Sequence, residues 1–70
     1  MNITLNNGAT CIDAQSDGES TVVLARYGRE YVTWQAKAEG DGLECFWGHY
    51  FPTEAEAQED FRARCLRVLH

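Results

Sequence analysis

The dipeptide Pro52-Thr53 divides this chain into an extended part and a helical part. Thr53 is a favourable helix N-cap, and Glu56 three residues later completes a capping box, while Pro52 ends the preceding strand. Beyond this point apolar residues recur at helical spacing, at Ala57, Phe61, Cys65 and Val68 or Leu69. The pattern predicts an amphipathic C-terminal helix whose apolar stripe packs on a sheet.

Residues 21–27 and 31–36 are rich in β-branched and apolar side chains and flank a Gly28-Arg29 turn. If these two residues form the whole loop, Ala25 lies opposite Val32 and Val23 opposite Trp34. Side chains alternate between the two faces of a strand, so one face carries the more apolar set of Val23, Ala25, Val32, Trp34 and Ala36. We expect that face to be the core.

Residues 43–51 form the most apolar strand, after a turn at residues 39–42. In a regular register Ala36 pairs with Cys45 and Trp34 with Trp47, which leaves Phe46 and Tyr50 together on the outer face. A slip of one residue would exchange the two sets, and the sequence leaves this choice open. Either register places aromatic side chains on both faces of the strand.

The first twenty residues carry weaker signals. Ile3 and Leu5 alternate with polar residues, the turn sequence at residues 6–8 follows, and residues 10–12 could form the returning strand. Residues 13–20 are polar and are expected to be a surface loop. The predicted fold is therefore α+β, a single domain over residues 1–70 with an antiparallel sheet of three to five strands and one C-terminal helix packed on one face.

The net charge is −5, and all eleven acidic residues lie within the first sixty positions. An acidic surface repels nucleic acid and anionic membranes, so a basic protein surface is the expected partner. The three cysteines form no dense framework, no N-terminal apolar signal segment is visible, and no apolar run is long enough to cross a membrane. These features indicate a cytoplasmic protein with free thiols.

No motif in the chain indicates catalysis or a cofactor. Cys45 and His49 are too far apart along a regular strand to share one metal ion, and there is no Cys-x-x-Cys. His49 is expected to be packed or hydrogen-bonded rather than a general base. The acidic residues of the first helical turns are expected on the solvent side, where paired carboxylates do no acid–base chemistry. The sequence thus predicts a non-enzymatic protein without cofactor or metal.

Four aromatic rings and a histidine fall within residues 46–51, and one helix can cover only one face of their strand. Uncovered aromatics beside acidic residues are typical of a protein-binding patch. The candidate contacts are two apolar anchors and eight acidic side chains: Phe46, Tyr50, Glu30, Glu39, Asp41, Glu44, Glu54, Glu56, Glu59 and Asp60. A homodimer that buries the same face, in a structural or accessory protein, would use these aromatics equally well.

The chain resembles small proteins of bacterial phages and other mobile elements. The resemblance lies in the segment Tyr31-Val32-Thr33-Trp34, a glycine-rich turn, the run Phe46-Trp47-Gly48-His49-Tyr50-Phe51 and a helix with Ala57 and Phe61. The resemblance covers about residues 30–65. Small acidic proteins of such elements include anti-CRISPR and anti-restriction inhibitors, which block nucleic-acid-binding surfaces of defence complexes. By analogy of size, charge and origin with those inhibitors, and not from any motif, we expect an inhibitor of this kind.

Overall fold

In the computed structural model, the elements follow in the order β1 (Ile3–Thr4), β2 (Thr10–Ser16), β3 (Thr21–Tyr27), β4 (Glu30–Glu39), β5 (Gly42–Phe51) and α1 (Glu54–Val68). The structure describes the backbone of residues 3–4, 8–39 and 42–69 and the side chains of residues 8–37 and 44–69. Adjacent strands pair antiparallel in their sequence order. The predicted α+β fold, an antiparallel sheet with a C-terminal helix packed on it, is confirmed.

The hairpin of β3 and β4 has the predicted register. Tyr27 pairs with Glu30 across a two-residue loop, and Ala25 pairs with Val32. Gly28 has a φ of 65°, a conformation that glycine adopts without steric cost at the first position of a tight hairpin loop. The turn chemistry therefore sets the pairing of the two central strands.

The N-terminal hairpin is present, and its second strand is longer than predicted. Ile3 pairs with Cys11 and Thr4 with Thr10, while the predicted turn residues 6–7 lie outside the described residues. Residues 13–16 were expected in a loop, but they continue β2 and pair with residues 21–24. Their polar character misled the prediction, because backbone pairing to β3 holds a strand whose side chains are exposed.

The helix begins as predicted. The Thr53 hydroxyl oxygen accepts a hydrogen bond from the backbone N–H of Glu56 at 3.3 Å. Ala57 and Phe61 are buried, and Cys65, Val68 and Leu69 pack beside them. The predicted apolar stripe therefore faces the sheet.

The helix covers the sheet face opposite to the set that was predicted as the core. It packs on the helix face, which includes Val22, Leu24, Tyr31 and Phe51. The predicted core set of Val23, Ala25, Val32, Trp34 and Ala36 is confirmed as buried, and Val22 and Leu24 on the opposite face of β3 are buried as well. Alternation alone does not show which of two apolar sets a single helix will cover.

The other face, which we call the tryptophan face, forms a second buried cluster of Ala9, Val23, Ala25, Val32, Trp34 and Ala36, with Cys11 and Cys45 packed against it. Burial raises the pKa of the Cys45 thiol, and Cys11 makes a smaller contribution in the same direction. Both faces of the sheet therefore carry buried apolar side chains, and the helix covers one of them.

Aromatic rings complete the tryptophan face. Tyr27 and Tyr50 contact the Trp34 ring edge-on, with centroid distances of 6.2 and 6.3 Å. Gly48 provides the space for this arrangement, because a Cβ atom there would lie 2.7 Å from Nε1 of Trp34. Gly48 thus leaves the room that the Trp34 ring occupies.

No helix in the described part of the chain has the length and apolarity that crossing a membrane requires.

Replacing Gly48 with alanine is expected to lower the free energy of unfolding by about 1–3 kcal/mol, because the new methyl group would displace the buried Trp34 ring from its packed position. The loss should be smaller in a Trp34→Phe background, because the indole nitrogen that the new methyl group would meet is gone. Urea denaturation of the single and double variants measures this coupling. An equal loss in both backgrounds would show that Trp34 is not the obstacle.

Candidate functional site

A β-bulge in β5 shapes the surface where the aromatic residues cluster. Thr33 pairs with His49 and Gln35 with Phe46, so Trp34 alone opposes the two residues Trp47 and Gly48. Trp47 has a φ of 55°, and it is the one non-glycine residue with positive φ in the described part of the chain. For a bulky side chain this left-handed conformation is a steric outlier that costs about 1–2 kcal/mol.

The Trp47 side chain gains little from burial in return. Its residue surface is 70% exposed, and its ring contacts Phe46 edge-on at a centroid distance of 4.9 Å. Such a contact contributes about 0.5–1.5 kcal/mol. The fold therefore holds a large indole in water in an unfavourable backbone conformation, a combination that is typical of functional positions.

The bulge also separates the two predicted aromatic anchors. Phe46 pairs with Gln35 on the helix face and is half-buried, whereas Tyr50 is half exposed on the tryptophan face. The expectation that both share one outer face is wrong, because the extra residue in β5 reverses the alternation of side chains beyond it. The pairing of Ala36 with Cys45, before the bulge, is as predicted.

A polar network lies between α1 and the helix face. The hydroxyl of Thr33, which is fully buried, donates to Oδ2 of Asp60 at 2.5 Å. His49 Nδ1 lies 3.1 Å from the same oxygen. Arg64, only 3% exposed, donates through Nη1 to the Thr33 carbonyl at 3.3 Å, and its Nε lies 4.0 Å from Asp60 Oδ2. These contacts give the buried polar atoms their partners.

Asp60 is the centre of this network. Burial by itself would raise the pKa of Asp60, but hydrogen bonds from Thr33 and His49 and the charges of His49 and Arg64 outweigh it and hold the pKa below its usual range. Burial lowers the pKa of Arg64, and Asp60 opposes that change. A hydrogen bond at Nδ1 fixes the orientation of the His49 ring. His49 was predicted to be packed or hydrogen-bonded, and it is hydrogen-bonded.

The predicted acidic contacts fall into three groups. The side chains of five are exposed: Glu30, Glu44, Glu54, Glu56 and Glu59. Asp60 was expected on the solvent side of the helix, and this was wrong, because it faces the sheet and is held by the polar network. Asp41 and the side chain of Glu39 lie outside the described residues.

Exposed acidic side chains lie on the strand that carries the exposed indole and on the helix that contacts this strand. Glu56 lies one helical turn before Asp60 on the same side of α1, and Asp60 contacts His49 of β5. Glu44 and Trp47 are exposed on β5 itself. We call the exposed side chains of Glu44, Trp47, His49 and Glu56 the β5-edge surface.

Two residues of this region were missed by sequence reasoning. Trp47 was placed on the core face in the regular register and on the other face in the slipped register, and it was not named as a candidate contact, although glycine within a strand pattern, here Gly48, is a known sign of a bulge. Arg64 was not among the predicted site residues. Its spacing, four residues after Asp60 and seven after Ala57, places it on the buried side of the helix.

The thiols and the metal-binding residue types do not form a reactive centre in the described part of the chain. Burial raises the pKa of the Cys11, Cys45 and Cys65 thiols, so they stay protonated near neutral pH and are poor nucleophiles. The described residues contain no group of three or more His, Cys, Asp or Glu side chains that could hold a metal ion.

No protein-family model, curated protein or solved structure matches this chain. The similarity to mobile-element proteins stays a prediction.

Replacing Trp47 with glycine is expected to give a more stable protein than replacing it with alanine, by about 1 kcal/mol. Both variants lose the contact with Phe46, but only glycine relieves the left-handed conformation. In a regular strand the order would be reversed, since glycine there is less stable than alanine. Chemical denaturation of both variants gives the comparison. A Trp47→Ala variant more stable than Trp47→Gly would contradict the left-handed conformation at this position.

Asp60→Asn is expected to lower the free energy of unfolding at neutral pH by about 1.5–3 kcal/mol, because charged hydrogen bonds to Asp60 are lost beside the buried Arg64. Because its pKa is depressed in the folded protein, ionised Asp60 stabilises the fold at pH values above the pKa of an unfolded aspartate. This contribution is lost progressively as the pH falls below about 5. Between about pH 5 and pH 3 the free energy of unfolding should therefore fall less steeply in Asp60→Asn than in the unmodified protein.

Glu59→Gln is the matched control for this measurement, since its side chain is exposed on the same helix. It should change the stability by no more than about 0.5 kcal/mol. Equal pH dependence in Asp60→Asn and the unmodified protein, each followed by urea denaturation, would contradict the role given to Asp60.

Proposed function

We propose that this chain is a non-enzymatic, cytoplasmic protein-binding module that uses the β5-edge surface to bind a basic surface of another protein. The partner would be a nucleic-acid-handling protein, and occupying its basic surface would exclude nucleic acid. The narrower form of this proposal is an inhibitor of a bacterial defence complex, carried by a phage or other mobile element.

The observation that carries the proposal is the exposed, strained Trp47. A large aromatic side chain held in water at a cost in stability is well suited to be an interface anchor, because tryptophan is enriched among residues that dominate binding energy. Its indole is also the best aromatic partner for an arginine or lysine side chain placed over the ring. A basic partner therefore fits the ring itself.

The charge of the molecule favours the same kind of partner. The chain carries −5 in total, and Glu44 and Glu56 are exposed on the β5-edge surface. The first turns of α1 add the exposed Glu54 and Glu59. Carboxylates around an aromatic anchor speed the encounter with a basic surface and disfavour neutral or acidic ones.

The experiment combines an assay in cells with direct binding. Cells with an active CRISPR-Cas system, expressing this chain, should lose interference against a targeted phage, and affinity purification should recover a nucleic-acid-handling protein. Trp47→Gly should weaken binding to the purified partner at least about tenfold, as expected for an anchor residue. Because this variant is expected to keep its fold, the loss would report on the contact.

Charge variants provide the matched control. Glu56→Gln should weaken binding to a basic partner, and Arg67→Gln, also on the exposed surface of α1, should leave binding unchanged or strengthen it. Unimpaired interference together with recovery of no nucleic-acid-handling protein would refute the inhibitor. Concentration-dependent self-association that Trp47→Gly abolishes would instead favour a homodimer.

A further inference from the structure

The imidazole of His49 uses only one of its two ring nitrogens in the polar network. Its Nδ1 lies 3.1 Å from Oδ2 of Asp60, and 48% of its side chain is exposed. No group in the described part of the chain forms a hydrogen bond with Nε2. The β5-edge surface therefore contains an imidazole nitrogen that is available to a ligand.

The ionised state of Asp60 decides which nitrogen carries the proton of the neutral His49 ring. Burial alone would raise the pKa of Asp60, but hydrogen bonds from Thr33 and His49 and the charges of His49 and Arg64 hold it below its usual range. An ionised carboxylate has no proton to give, so its oxygens only accept. His49 therefore donates through Nδ1, and Nε2 of the neutral ring is a bare nitrogen that accepts a hydrogen bond.

The network also holds Asp60 in place. The buried hydroxyl of Thr33 donates to the same Oδ2 atom at 2.5 Å, and Nε of Arg64, a residue that is only 3% exposed, lies 4.0 Å from it. If Asp60 rotated away, these buried groups would lose their acceptor or their opposite charge, which is costly. The carboxylate is thus fixed from β4 and from α1, and it fixes the ring of His49 in turn.

The other side chains of the β5-edge surface offer mainly acceptors. Glu44 and Glu56 carry exposed carboxylates, and the face of the exposed Trp47 ring is electron-rich. The indole N–H of Trp47 is the exception, because it is a donor. A ligand with a positive charge and several donors therefore complements this surface.

Phe46 links the exposed indole to the histidine. Its ring contacts Trp47 edge-on at a centroid distance of 4.9 Å. Phe46 and His49 pair with Gln35 and Thr33, which are two residues apart on β4, and two residues span about 7 Å along a strand. His49 and the ring pair of Phe46 and Trp47 are thus neighbours along the same part of β5.

From this arrangement we infer that Nε2 of His49 accepts a hydrogen bond from an arginine side chain of the partner, beside the exposed ring of Trp47. Asp60 is the positioning residue, because it sets the tautomer that makes Nε2 an acceptor. The inference rests on the proposed function and names the side chain by which the basic partner is recognised. Arginine fits better than lysine, since its planar guanidinium donates in its plane while a face lies against an aromatic ring.

The tautomer can be measured without any partner. A long-range proton–nitrogen correlation spectrum of the labelled full chain is recorded at about pH 8, above the usual range in which histidine takes up a proton. His49 should show a protonated Nδ1 and an unprotonated Nε2, and the His49→Asn variant identifies its signals. A proton on Nε2, with or without one on Nδ1, would overturn the inference.

The ligand is tested with two short peptides that differ only in carrying arginine or lysine at the same positions. Titration of the full chain, followed by chemical shifts, should show about fivefold tighter binding of the arginine peptide, as expected for one additional hydrogen bond. The arginine peptide should also shift the Nε2 signal of His49.

His49→Asn separates the acceptor from the rest of the surface. Its amide nitrogen can still donate to Asp60 in place of Nδ1, but it has no atom in place of Nε2. It should weaken binding of the arginine peptide about fivefold and remove most of the preference over lysine. Glu59→Gln is the control, because it removes an exposed charge of α1 outside the β5-edge surface and should leave the preference for arginine unchanged.

Equal affinity for the two peptides, an unchanged preference in His49→Asn or no measurable binding of the arginine peptide would each refute the arginine site. These results are distinguishable from failure of the proposed function, because neither the tautomer nor the peptide measurement needs the natural partner. Loss of phage interference together with a protonated Nε2 would support the inhibitor and refute this inference. The expected tautomer and arginine preference, without recovery of a nucleic-acid-handling protein, would support the arginine site and refute that partner.

Discussion

The contact between Trp34 and Gly48 is the constraint on which the rest of this structure depends. The indole lies so close to the backbone of β5 that a side chain at position 48 would collide with it. A regular strand would have placed one residue opposite Trp34, and the bulge places two there. The extra residue bends the strand and reverses its alternation, so every side chain from His49 onward lies on the opposite face to the one that a regular register would give.

Several features follow from this reversal. His49 reaches the helix face and contacts Asp60, which ties β5 to α1. Tyr50 reaches the tryptophan face and packs on Trp34. Trp47, at the bulge itself, belongs to neither core and stands in solvent with positive φ. The bulge thus brings His49 to the helix face and Tyr50 to the tryptophan face, and it leaves Trp47 exposed. The proposed binding surface is built around Trp47.

Much of the fold could be predicted because it depends on local signals. The cap at Thr53 and the glycine turn at residue 28 each act over three or four residues, and both were identified correctly. The face covered by the helix could not be decided, since β3 has apolar side chains on both faces, Val22 and Leu24 on one and Val23 and Ala25 on the other. That choice depends on partners far apart in sequence, such as Thr33 and Arg64. The bulge was missed because a count of alternating residues assumes a regular strand. The exposed glutamates of the candidate surface were predicted from composition, whereas Trp47 and the inward orientation of Asp60 required the three-dimensional structure.

The position of the Trp34 ring relative to β5 tests the central claim most directly. In a nuclear Overhauser spectrum of the isotopically labelled protein, the indole N–H of Trp34 should show a strong cross-peak to the α-protons of Gly48, and Thr33 should show cross-strand contacts to His49. Cross-peaks from the Trp34 indole to the side chain of Trp47, together with contacts between Thr33 and Gly48, would indicate a regular register and would contradict the account.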